Sequence, residues 1–278
     1  MIDSPDAPLG YVAAGDRVAL VRSSIAPLHA EPRVSSPQVS QRLAWHPVGI
    51  LAASGDWRQV RGLDGYEGWV HAGYLAPVAA LGREVDGWPA EARVSLGCEV
   101  MGVTGSSRRL PLGAFVHPED RVTGGRAPFA HELAMEFPAD GAAIADSAHR
   151  LFAGAPYIWG GVTPWGCDCS GFVQSILALH GIGVPRDAWQ QAAGGEEGHG
   201  PIGSVRQGDL LFFSDQPAGR ISHVGLALGG MRMAHVAVGR GGFAVERLDD
   251  GRDRYVAGLV ERYRFSGKIL GRWAGSTA

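Results

Sequence analysis

The chain has 278 residues, of which 45% are hydrophobic, 19% charged and 42 glycine, with a formal net charge of −3. That length suits two or three domains with real apolar cores, and so much glycine with so little charge favours a turn-rich β protein over a helical one. The sequence has no basic block or basic-aromatic stripe, which argues against a nucleic-acid partner, and no apolar run long enough to span a membrane.

The start, Met1-Ile2-Asp3-Ser4-Pro5-Asp6, is acidic and polar and lacks the basic beginning and apolar run of a secretory signal, so a cytoplasmic location is expected. Three cysteines, Cys98, Cys167 and Cys169, form an odd set without a disulfide framework. A reducing compartment also suits a reactive thiol.

From Ala26 to Pro77, short apolar runs alternate with Gly, Pro, Ser and Asp, as in Asp56-Trp57-Arg58-Gln59-Val60 and Gly65-Tyr66-Glu67-Gly68-Trp69-Val70. This spacing predicts a small β-barrel, with Trp45, Trp57 and Trp69 in its core. The Gly-Tyr-x-Gly-Trp-Val run resembles a bacterial SH3-like domain. Residues 91 to 125, with Val94, Leu96, Val100, Val103, Leu110, Leu112, Phe115 and Val116, read as a second, degenerate SH3-like domain. A linker from Ala127 to Asp140 with Pro128 and Pro138 leads to a helix with Ile144, Ala148, Leu151 and Phe152 on one face, stopping before Pro156. The expected division is 1–80, 81–135 and 136–278.

Asp168-Cys169 stands where the next helix begins, because Phe172, Val173, Ile176, Leu177 and Leu179 have helical spacing and Gly181 follows at a C-cap position. Free N–H groups and the positive helix end favour a thiolate there, so Cys169 is expected to be held ionised. Cys167 has no further ligands at metal-binding spacing, and a disulfide between residues two apart is strained, so it reads as a bystander. No metal or other cofactor is expected.

Leu210-Leu211-Phe212-Phe213 reads as a buried strand and His223 to Leu228 as a second. His223, Gly225 and Ala227 make one face of that second strand nearly bare, leaving room for a helix terminus. After Gly229-Gly230, a return strand from Met231 to Val238 carries His235. Only an odd loop or a bulge lets both histidines share a face. On that condition His223 takes the Cys169 proton and His235 holds the imidazole in its useful tautomer. His71, His149, His180 and His199 have no partner pattern, and Asp249-Asp250 reads as a solvated turn.

These residues resemble the NlpC-type cysteine peptidases of bacterial cell-wall peptides. The resemblance covers about residues 136 to 270 and rests on Tyr157 with Trp159-Gly160-Gly161, Asp168-Cys169-Ser170-Gly171-Phe172, Pro185-Arg186-Asp187, Gly208-Asp209-Leu210 with Phe212-Phe213, His223-Val224-Gly225 and His235. It implies an α+β, papain-like catalytic domain, with the nucleophile helix packed on an antiparallel sheet, behind two small SH3-like β-barrels. It also implies Cys169 as nucleophile, His223 as base, His235 as third polar residue and Tyr157 near the thiol.

The subfamily with this arrangement cleaves γ-D-glutamyl to diamino acid bonds in murein peptides with a free N-terminal L-alanine, which implies a role in peptide recycling. Asp168 either contacts the substrate ammonium or caps the helix, and Glu67 is a second anion or a solvated turn residue. Arg186 and Ser170 either receive the glutamate α-carboxylate or, for Arg186 with Asp187, form a local ion pair. Trp159 is a further substrate-binding candidate. Ala188 stands where close members often have Ser after Arg-Asp. The rival readings are an exported lytic peptidase acting on intact wall and a non-catalytic peptide-binding protein.

Overall fold

The computed structural model describes residues 17–81, 92–194, 196–198, 201–216 and 219–269. The Met1 to Asp6 segment and His199 lie outside the described residues. The chain divides into two compact units, Met1–Glu132 and Leu133–Ala278.

In the first unit, β1 (Val18–Val21), β2 (Ile25–His29), β3 (Gln38–Leu43), β4 (Pro47–Ser54), β5 (Trp57–Arg61), β6 (Glu67–His71) and β7 (Leu75–Pro77) form an antiparallel sheet in the order β3-β2-β6-β5-β4-β1-β7. Strand alternation turns Ala19, Val21, Ala26, Leu28, Val48, Val60, Val70 and Leu75 into one core. Of the three tryptophans expected there, Trp45 is buried, with a left-handed φ of 63°, whereas Trp57 and Trp69 are half-buried. Trp57 meets His29 and His71 edge-on at 5.4 and 5.5 Å.

The rest of this unit holds β8 (Arg93–Val94), β9 (Glu99–Met101), β10 (Ser107–Arg109), β11 (Phe115–Val116) and β12 (Arg121–Gly124), as a three-stranded sheet β10-β9-β12 and a pair β11-β8. It joins the first sheet through Phe115 N–H to Ala44 O at 2.9 Å and His46 Nε2 to Gly113 O at 2.8 Å. The expected linker contains a short helix, α1 (Ala130–Glu136), whose start is closed by Glu132 accepting the Phe129 N–H.

In the second unit, Asp140 caps α2 (Gly141–Phe152) by accepting the N–H groups of Ala142 and Ala143. A two-residue hairpin, β13 (Val162–Thr163) and β14 (Gly166–Cys167), runs directly into α3 (Cys169–Leu179). His180 follows as C-cap, and Gly181 with φ 72° ends the helix. Helix α4 (Ala188–Gly194) and strands β15 (Glu196–Gly198), β16 (Leu210–Phe213), β17 (His223–Gly229), β18 (Arg232–Ala237) and β19 (Gly242–Arg247) come next, then α5 (Arg254–Glu261) and β20 (Tyr263–Lys268).

The six strands form an antiparallel sheet, β15-β20-β16-β17-β18-β19, and α3 packs against β17 and β18. Phe152, Phe172 and Phe243 link α2, α3 and β19 through edge-on ring contacts at 5.1 and 5.7 Å. The architecture is thus mixed α and β with antiparallel sheets, and an SH3-like N-terminal region.

The β17–β18 hairpin turns through Gly230 and Met231, both with positive φ, which is the backbone of a two-residue type I′ turn. A bulge at Leu228 then restores a register of Leu226 with Ala234 and Ala227 with Met233. Continued one step, that register sets Gly225 opposite His235. The space over Gly225 is filled by Met233, whose Sδ lies 2.3 Å from where a Cβ would stand, so it does not receive a helix terminus.

Candidate active site

The nucleophile position is built by close backbone contacts. The Ile158 N–H donates to Cys167 O, Cys167 N–H to Pro156 O and Asp168 N–H to Gly161 O, at 3.0, 3.1 and 3.3 Å, locking residues 156–161 beside 166–168. Gly171 permits this approach, since a Cβ there would lie 2.1 Å from Gly161 O. Tyr157 is held by its N–H to Gly241 O at 3.1 Å. Asp168 caps α3, so Cys169 occupies the first helical position.

The Cys169 sulfur accepts backbone N–H groups from Val224 and Ser170, and Val224 is the residue after His223 on β17. Burial dominates its acidity, with the Asp168 charge adding to it, and together they push the thiol up to about 12 despite those backbone donors and Arg186. The expected thiolate is therefore corrected to a resting thiol, because desolvation outweighs the helix terminus. His223 is pushed down to about 3, first by burial and then by the neighbouring His235 and Arg262. Nucleophile and base both rest uncharged.

His223 Nε2 lies 2.9 Å from His235 Nδ1, and His235 Nε2 lies 3.2 Å from Glu246 Oε1. Arg240 donates to both oxygens of that carboxylate, at 2.7 and 2.9 Å, and also pairs with Asp253. Tyr157, half-buried, has its phenol pushed up to about 12, by burial first and then by Cys169 and Asp168. It therefore keeps its proton and can donate. Among the described residues, no group of three or more His, Cys, Asp or Glu has the convergence of a metal site.

Residues 154–256 match the NlpC/P60 family and residues 23–76 the bacterial SH3 domain. The chain carries an NlpC/P60 domain. Over 86 residues it is 47% identical to a gamma-D-glutamyl-L-lysine dipeptidyl-peptidase of Bacillus subtilis, an alignment covering 31% of this chain and 28% of that protein. A similarly named protein of Bacillus cereus is 40% identical over 31% of this chain and 26% of its own length, so the chain spans about a quarter of each relative. Dipeptidyl-peptidase 6 of Lysinibacillus sphaericus is 25% identical over 91% of this chain and 99% of its own. The crystal structure of an NlpC/P60 family protein from Bacillus cereus shares the fold, with a TM-score of 0.73 at 19% identity, covering 91% of this chain and 99% of that one.

Within the NlpC/P60 domain, Cys169 lies beside Tyr157 and meets β17 at Val224, next to His223, which bonds His235; the expected substrate contacts are arranged differently. Asp168 Oδ1 accepts from Gly171 N–H, Ser170 Oγ and Arg186 Nη1, and Oδ2 from Gly160 N–H and Arg186 Nη2. Arg186 is 1% exposed and also donates to Ser170 Oγ and Gly161 O. Of the two readings of Asp168 the helix cap is the one described, and Asp168, Arg186 and Ser170 form a buried brace beneath the nucleophile, hydrogen-bonded to one another.

Asp187 serves α4, accepting from Trp189 Nε1 and offering its carbonyl to Gln190 and Gln191. Glu67, in the SH3-like unit, forms an exposed pair with Arg61 at 2.6 Å. Trp159 is 65% exposed. Glu246 and Arg240 escaped the sequence reading, although Ala244, Glu246 and Leu248 alternate on one face of a strand, and a carboxylate in such a row signals a buried partner.

Proposed function

We propose that the protein is a cysteine peptidase that cleaves the γ-D-glutamyl to diamino acid bond of murein peptides with a free N-terminal L-alanine. The observation that carries this reading is the hydrogen-bonded series His223, His235 and Glu246, starting one residue from the strand position whose N–H meets the Cys169 sulfur. The dipeptidyl-peptidase names of the relatives support the substrate class.

Because the thiol rests protonated, its proton passes to His223 Nδ1 as the sulfur attacks the γ-glutamyl carbonyl. The Cys169 N–H at the helix start and the Tyr157 hydroxyl are the donors for the oxyanion. His223 gives the proton to the leaving amine as the C–N bond breaks. Water then adds to the thioester, losing a proton to His223, and the C–S bond breaks as the thiol regains that proton. The released dipeptide is L-Ala-γ-D-Glu.

A requirement for free L-alanine fits the recycling of peptide fragments in the cytoplasm, since that amine is acylated in intact wall. Hydrolysis of L-Ala-γ-D-Glu-L-lysine, its diaminopimelate counterpart and their N-acetylated forms tests this reading, with Cys169→Ala as control. The expected result is rapid cleavage of free peptides and slow cleavage of acetylated ones. Equal rates on both, or peptide release from purified sacculi, would favour the lytic alternative. Wild-type rates no faster than Cys169→Ala would favour a non-catalytic binder.

A further inference from the structure

His235 on β18 pairs with Ala244, so Glu246 on β19 is its diagonal neighbour on the same face. The β17–β18 register sets His223 diagonally across from His235 in the same way. Three polar side chains thus cross three strands in a line, joined by contacts of 2.9 and 3.2 Å.

Hydrogen-bond directions along this line follow from one end. A carboxylate only accepts, so His235 must carry its proton on Nε2. A neutral His235 then offers a lone pair at Nδ1, which is satisfied when His223 carries its proton on Nε2. That leaves His223 Nδ1 bare, as a base must be. We propose that Glu246 is a positioning residue that sets the tautomers of His235 and His223 in series, and that Arg240 holds the Glu246 carboxylate where it can do so. This rests on the reading of Cys169 and His223 as nucleophile and base.

The direction of the series matters for the base. Were it reversed, with His235 donating from Nδ1 to His223 Nε2, the neutral His223 would hold its proton on Nδ1, where no thiol proton could then be received. Arg240 fixes the Glu246 carboxylate through two hydrogen bonds and is itself held by Asp253, the N-cap of α5.

The other groups around the pair are few. The Tyr255 ring of α5 lies 6.0 Å from His235 and 4.4 Å beneath the Arg240 guanidinium. Arg262, Asp215 and the Phe213 ring border His223. Burial pushes the Glu246 carboxyl up, but hydrogen bonds from His235 and Arg240 outweigh it and bring it to about 2. The acceptor thus stays ionised at any working pH.

The test compares full-length wild type with Glu246→Leu, Glu246→Gln and Arg240→Met. It measures kinetics on the free tripeptide across pH and the imidazole nitrogen chemical shifts, which distinguish Nδ1–H from Nε2–H. Glu246→Leu is expected to lower kcat about 10- to 100-fold, within the range general-base catalysis supplies, with KM within about twofold and with mixed tautomers. Glu246→Gln, keeping an acceptor oxygen, should recover part of kcat and the Nε2–H signals. Arg240→Met, which leaves the Glu246 acceptor in place but no longer held, should lower kcat by less than Glu246→Leu and keep the Nε2–H signals.

Unchanged kcat and tautomers in Glu246→Leu would overturn the proposal. Losses that follow only the folded fraction of each variant would also overturn it, since a merely structural role predicts them. If the wild type fails to cleave the peptide, the peptidase reading falls, while the nitrogen shifts still report whether Glu246 sets the tautomers.

Discussion

The guanidinium of Arg186 donates to both carboxylate oxygens of Asp168, at 3.0 and 2.7 Å, one residue from the nucleophile. The same carboxylate closes the first turn of α3 and takes the Gly160 N–H, so one ion pair ties together the helix, the segment at Gly160 and residue 186. Removing the cation leaves a buried charge unpaired. Arg186→Met is expected to cost about 3–5 kcal/mol, read as a lowered urea midpoint. Adding Asp168→Asn should recover part of that loss, because no unpaired charge then remains. Equal midpoints for wild type and Arg186→Met would refute this account.

The resting charge state has a kinetic signature. His223 is neutral above about 3 and the Cys169 thiol protonated below about 12, so both groups are ready across the whole neutral range. At saturating peptide, kcat should be flat from about pH 5 to about pH 9, falling in acid as His223 gains a proton. A bell with both limbs inside that range would instead mark a resting thiolate and imidazolium.

Gly171 is a steric requirement of the nucleophile turn. A Cβ there would meet Gly161 O at 2.1 Å, a backbone atom that cannot step aside without moving the segment behind Tyr157. Gly171→Ala should cost about 1–3 kcal/mol as an overpacked contact and lower kcat with it. Thermal melting and kinetics on the same preparation check this, and an unchanged melting temperature would contradict it.

Glu246 makes stability depend on acid. Its folded value of about 2 lies below the ordinary carboxyl value, so its contribution is present above that ordinary value and fades as pH falls through 2. The gap in urea midpoint between wild type and Glu246→Gln should be full at neutral pH and shrink steadily in acid. A gap that widens in acid would reverse the sign and exclude the mechanism.

Local pattern made α3 legible in the sequence: the spacing of Phe172, Val173, Ile176 and Leu177, the Asp168 cap and Gly181 each report on neighbours in the chain. The His223 and His235 strands were readable for the same reason, down to the need for a bulge. Contacts between distant segments were not. Nothing in the order of residues says that Arg186 turns inward to Asp168 rather than outward to a substrate, or that Met233 fills the space over Gly225. Burial of the Cys169 sulfur is likewise a tertiary property, and it reversed the acidity expected from the helix start. Glu246 lay between, visible in the alternation of β19 but meaningful only once His235 was across from it.

The short turn at Gly230 and Met231 sets how β17 and β18 are offset. Shifting one strand by a single position would swing His235 to the opposite side and would also pull Met233, which is fully buried, out of its core with Leu211, Phe213 and Ala227. Hydrocarbon packing and chemistry therefore share one constraint, and insertions or deletions in this loop should be tolerated by neither.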